Sequence, residues 1–143
     1  MDSLSTKKIL FVLDHDVIFH RILTFANKRN DYKGIYFYTQ ANHLLSYLKE
    51  HWTDTANLPD VLFLEIPPSN DGWVFLDAYN ELRVGMSKNI AVYIVSSSVR
   101  QYDKQRALSY GFVLDYILKP LPMDKFREIA GLKSSSDRNL ENR

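Results

Sequence analysis

KILFVLDHDVIFHRILTFANKR, Lys8 to Arg29, changes its period halfway along. Lys8 to Leu13 is short, continuously apolar and ends at acids, the pattern of a strand buried on both faces. From there Ile18, Phe19, Ile22, Leu23 and Ala26 recur at helical spacing, with Asp16 as a candidate N-cap. A buried strand that runs straight into an amphipathic helix is half of a βαβ unit.

The same alternation continues down the chain. Gly34–Thr39 (GIYFYT) is β-branched and aromatic, hence strand-like, and Gln40–Trp52 repeats the helical period through Leu44, Leu45 and Leu48. Asp60–Ile66 (DVLFLEI) is a third strand, followed by a helix through Val74, Phe75, Tyr79 and Leu82. Asn89–Ser98 is a fourth strand, Val99–Gly111 a helix closed by its glycine, and Val113–Leu118 a fifth strand. A short helix around Met123–Gly131 completes the series. Strands separated by helices need crossover connections, so the sheet is parallel and covered on both sides. Five units in this length predict an α/β, flavodoxin-like (βα)5 doubly wound fold with strand order 2-1-3-4-5 and helices on both faces. The reading assigns residues 1–131 to one domain and 132–143 to a polar tail, and places any ligand at the carboxyl ends of the strands.

Composition narrows the function. The chain has 143 residues, 45% of them hydrophobic and 24% charged, the balance of an ordinary globular domain. Eighteen basic and 17 acidic residues are mixed along it, so no electrostatic footprint for nucleic acid is expected. No apolar run reaches the ~20 residues of a membrane span, and no secretory cleavage pattern is present. Zero cysteines remove disulfides and thiolate chemistry, in keeping with a cytoplasmic protein.

The predicted fold gathers acids and hydroxyls on one rim: Asp14, His15 and Asp16 after strand 1, Glu65 at the end of strand 3, Ser96–Ser98 at the end of strand 4 and Lys119 after strand 5. LDHD, PDVLFLEI followed by a Pro and DGW, VYIVSSS and DYILKPL occur in an order and spacing that resemble the receiver domains of two-component response regulators, over about the first 130 residues. The Lys-Pro pair after strand 5 is a specific marker of that family. The resemblance implies that Ser96 takes the hydroxyl role, Lys119 the lysine role and Tyr116 the aromatic switch position. In typical receivers an aspartate accepts phosphoryl from a histidine kinase, while it and two preceding acids hold Mg²⁺.

This sequence departs from that pattern at the acceptor. Glu65 replaces the aspartate, and its extra methylene displaces the carboxylate by ~1.3 Å or more in a site where ~1 Å can cost ~10²-fold in rate. The acid pair is also broken, with two registers open: Asp14 first and His15 in the second place, or Leu13 first and Asp14 second. The EIPPSNDG loop is one residue shorter than is usual in the family. Metal ligation is thus left to Asp14 and Glu65, and Mg²⁺ is expected to bind weakly if at all.

The expectation is a stand-alone pseudo-receiver without enzymatic activity, signalling by protein contact with a histidine kinase or another signalling protein. No effector domain follows residue 131, so output passes through a partner. The expected contact face is helix 4, strand 5 and helix 5, with Tyr102, Gln105, Tyr116 and Lys125. Glu65 is read as a mimic of the charged, phosphorylated state, as a structural acid paired with Lys119, or as both. Two other readings stay open, a working receiver phosphorylated on Asp14 and a small-ligand module on the same rim. Ser-Lys hydrolase chemistry is disfavoured because no oxyanion loop is evident. His15, His20, His43 and His51 lack metal-ligand spacing, and nothing in the sequence sets an oligomeric state.

Overall fold

The computed structural model describes residues 7–66 and 71–132. Pro67, Pro68 and most of the expected tail lie outside the described residues. Five parallel strands, β1 (Ile9–Leu13), β2 (Gly34–Tyr38), β3 (Val61–Leu64), β4 (Ala91–Ser96) and β5 (Val113–Leu118), form one sheet in the order β2-β1-β3-β4-β5. The helices are α1 (Val17–Ala26), α2 (Ala41–Glu50), α3 (Asp71–Leu82), α4 (Gln101–Leu108) and α5 (Met123–Ile129). The predicted fold class and strand order are those observed.

Alternation along the strands builds two cores. On β1, Leu10 and Val12 face the layer of α1 and α5, where Phe19, Leu23, Phe126 and Ile129 are buried with Val61, Phe63, Val95 and Ile117. Phe11 and Leu13 face α2, α3 and α4, packing with Leu44, Leu48, Phe75, Tyr79 and Ala107. Central strands with both faces covered must be apolar throughout, and all four residues of β3 are buried.

One expected helix end is corrected, and helical spacing alone does not decide which apolar residues are covered. Ile18 and Ile22 repeat at helical spacing yet are 69% and 49% exposed, because only Phe19 and Leu23 of α1 reach the sheet. Val74 on α3 is likewise exposed. Gly111 does not end α4, which stops at Leu108 with Ser109 as its cap. The glycine that ends a helix is Gly131, at φ +98° after α5, where the Gly131 and Leu132 N–H groups donate back to the Glu128 and Arg127 carbonyls.

Candidate functional site

The ends of β1, β3 and β5 carry the site. The backbone N–H of Asp14 donates to Tyr38 O (2.9 Å), that of Glu65 to Leu13 O (3.0 Å) and that of Lys119 to Ser96 O (2.7 Å), so each functional residue extends the ladder by one step past its strand. Strand parity then decides which side each faces. Asp14 continues Leu10 and Val12, Glu65 continues Val61 and Phe63, and Lys119 follows Ile117, so all three share the α1/α5 side.

Asp14 and Glu65 are buried, 3% and 7% exposed. Lys119 Nζ lies 2.8 Å from Asp14 Oδ2 and 3.5 Å from Glu65 Oε2, and 4.3 Å from the centroid of the Phe19 ring. The pairing expected between Lys119 and Glu65 is present, but Asp14 is the closer partner. Glu65 Oε1 instead meets His15, accepting from its backbone N–H at 3.4 Å and contacting its Nδ1. Asp14 Oδ1 accepts from the Asp16 N–H at 2.8 Å, and Asp16 caps α1 by accepting from Ile18 N–H at 2.9 Å. His20 Nε2 lies 2.6 Å from the Asp14 carbonyl oxygen and stacks on Phe37. Asp14 is thus the buried acid on Lys119, His15 stands on Glu65, and Asp16 belongs to the helix cap.

Burial pushes the Asp14 carboxyl up from its ordinary range, with the Lys119 hydrogen bond pulling in the opposite direction. Two buried carboxylates face one ammonium, so Lys119 is already compensated before any ligand arrives. The site opens onto a pocket of about 430 Å³ lined by His15, Asp16, Val17, Ile18, Glu65, Ser97 and Lys119.

The hydroxyl on that pocket is therefore Ser97, next to the expected Ser96. Ser96 has the parity of Val92 and Ile94, turns to the opposite face and donates to the Ile66 carbonyl. Parity was the available signal: Val95 and Ser97 alternate with Ile94 and Ser96. Tyr116 shares the Ser96 side, where its hydroxyl donates to Ser98 O at 2.9 Å. Ser98 Oγ in turn donates to buried Asp103 at 2.7 Å, tying the loop after β4 to α4. Asp103 was not singled out by the sequence, because its role depends on Ser98 lying over the start of α4. At the other side of the site, Gly72 allows α3 to approach β3: a Cβ there would lie 2.4 Å from the Glu65 carbonyl oxygen.

No protein-family model matches the sequence, and no curated protein sequence does. Solved structures with this fold do. A two-component response regulator from Cytophaga hutchinsonii superposes with a TM-score of 0.72 at 21% identity, covering 96% of this chain and 98% of that one. A response regulator receiver protein from Burkholderia phymatum gives 0.68 at 18% identity, covering 90% and 99%. The Mn²⁺-bound form of the response regulator Rcp1 gives 0.62 at 15% identity, covering 86% and 88%. The chain has the fold of response-regulator receiver domains, at the size of a single such domain. Among the described residues, no helix is long and apolar enough to cross a membrane.

The Mg²⁺ that this fold family implies does not suit these residues. Magnesium demands near-octahedral oxygen ligands, whereas one of the three grouped donor residues is an imidazole, and Lys119 already stands on both carboxylates.

Proposed function

We propose that this chain is a receiver-like module of two-component signalling that works by protein contact, with its rim charge supplied internally rather than by aspartyl phosphorylation. The observation that carries this reading is Lys119, held between Asp14 and Glu65 as a phosphoryl-bound lysine would be held by its anion. Glu65 supplies a permanent carboxylate there, so ordinary phosphorylation is neither required nor favoured. Asp14 is a poorer acceptor still, being buried with one oxygen on Lys119 and the other on the Asp16 N–H.

Two surfaces favour a protein partner. Tyr102, Leu114 and Leu118 are exposed along α4 and β5, on the face expected from the sequence. A groove of about 750 Å³ between α1 and α5 exposes Ile18, Ile22 and Phe25 beside Arg21, Lys28 and Arg29. Its apolar floor and basic rim suit an amphipathic helix flanked by acids, as from a histidine kinase. The cytoplasmic setting of such a pathway and the lack of enzymatic activity belong to the same reading.

Incubation with acetyl phosphate and Mg²⁺, followed by intact-mass measurement, tests it. The expected outcome is no acid-labile adduct. A gain of one phosphoryl group that disappears in Glu65→Gln would overturn it, and a gain lost in Asp14→Asn would establish the working-receiver alternative.

A further inference from the structure

We propose that the groove between α1 and α5 is a self-association surface, in which α1 packs antiparallel against α1 of a second copy about a two-fold axis at Ile22. The signalling reading gives this groove to a partner helix, and the inference goes further by making a second copy its resting occupant. Ile18, Ile22 and Phe25 stand at i, i+4 and i+7, so they form one stripe, and Phe25 is 69% exposed. That stripe is distinct from the Phe19 and Leu23 side of α1, which meets the sheet. Met123 and Phe126 of α5 continue it across the groove. Contiguous exposed apolar surface rimmed by polar side chains marks a contact site.

Charge selects the occupant. The stripe ends at Lys28 and Arg29, while the opposite end of α1 is capped by Asp16, whose Oδ1 accepts from the Ile18 N–H. Arg127 on the other wall is already paired with Asp31 at 3.5 Å. Among the described residues, no acid pairs with Arg21, Lys28 or Arg29. Asp16 and Lys28 are equally distant from Ile22 along the chain. An antiparallel two-fold pairing therefore sets Ile22 on Ile22, Ile18 beside Phe25, and Asp16 of each copy against Lys28 and Arg29 of the other. A surface with an apolar centre and opposite charges at its two ends complements its own inverted copy. A parallel arrangement would set like charges together. The patch is small, so the dimer is weak, with a dissociation constant in the micromolar range. It also hides the stripe, so self-association and the docking of a partner helix exclude each other.

Sedimentation equilibrium of the full chain over a concentration series, with four variants beside it, tests the proposal. The unaltered chain is expected to pass from monomer to dimer and no further. Phe25→Asp should raise the dissociation constant ~10-fold or more, with an unchanged melting temperature at concentrations where the monomer prevails. Asp16→Asn keeps a capping side chain and should weaken the dimer a few-fold while flattening its dependence on salt. Arg21 lies on the flank of the stripe near the axis, beside its own symmetry mate. Arg21→Gln should therefore tighten the dimer, whereas an anionic peptide or lipid in the groove would lose affinity from the same change. Leu114→Asp on the exposed side of β5 should leave the equilibrium as it was. A chain that stays monomeric up to millimolar concentration, a dimer broken by Leu114→Asp but not by Phe25→Asp, or a dimer weakened by Arg21→Gln would overturn the proposal. A phosphoryl adduct would count against the reading of the function and leave this result standing.

Discussion

Lys119 concentrates the electrostatics of the rim, because it is the cation in contact with both Asp14 and Glu65. Removing one partner of a buried pair leaves the other charge uncompensated and typically costs about 3–5 kcal/mol. Lys119→Met is therefore expected to lose about 3 kcal/mol in urea unfolding, and adding Asp14→Asn should recover part of it. A loss below about 1 kcal/mol would mean that solvent, not Lys119, compensates the two acids. At this scale the sequence was only partly legible. Residue types and their gathering on one rim could be read, but a one-residue step in a strand moves a side chain to the other face. That step separates Ser96 from Ser97. It also separates the two registers left open for LDHD, in which Asp14 extends β1 by one step and Asp16 caps α1.

At the scale of elements, α1 shows what periodicity reveals and what it does not. Apolar spacing gave the helix and its inward residues, but whether a given apolar residue is covered depends on neighbours remote in sequence, and Ile18, Ile22 and Phe25 have none above them. Phe19→Ala is expected to cost about 3–5 kcal/mol, since that ring is buried against the sheet and Lys119. Phe25→Ser on the same helix should stay within about 0.5 kcal/mol. Equal losses in thermal unfolding would contradict the two-sided helix. The tyrosines under the helices add a dependence on pH. Tyr32 is fully buried beneath α5, its hydroxyl donating to Phe126 O at 2.8 Å, and burial pushes its phenol far up. Burial likewise raises Tyr79 to about 12, with the charge of Arg83 opposing. A phenol whose folded value lies above its unfolded value of about 10 contributes stability that is complete below pH 10 and is lost as pH rises through 12. The melting temperature should thus hold up to about pH 10 and fall steeply beyond it. Ionisation of all nine tyrosines near their ordinary value with the fold intact would refute this.

For the whole molecule, the two sides of the sheet are joined at the carboxyl rim. Asp14, Glu65, Ser97 and Lys119 lie on the α1/α5 side, while Ser96 and Tyr116 lie on the other, Ser96 donating to the Ile66 carbonyl and Tyr116 holding the loop after β4 at Ser98. An added anion could bias this loop only by interacting differently with two of its arrangements. With Glu65 already on Lys119, the charge is constant, so the resting protein is expected to populate one arrangement, with Tyr116 in a single rotamer. Control then passes to partner binding. Glu65→Ala removes the permanent charge without touching Ser96 or Tyr116, and should release the loop. Relaxation-dispersion measurements on backbone amides from Ser96 to Arg100 are expected to show little microsecond-to-millisecond exchange in the unaltered protein and clear exchange in the variant. Partner affinity should weaken in parallel, by more than the loss in overall stability accounts for. Equal exchange in both proteins, with unchanged partner affinity, would reduce Glu65 to a strand-end acid that neutralises a lysine, and the fold would then carry no stored state.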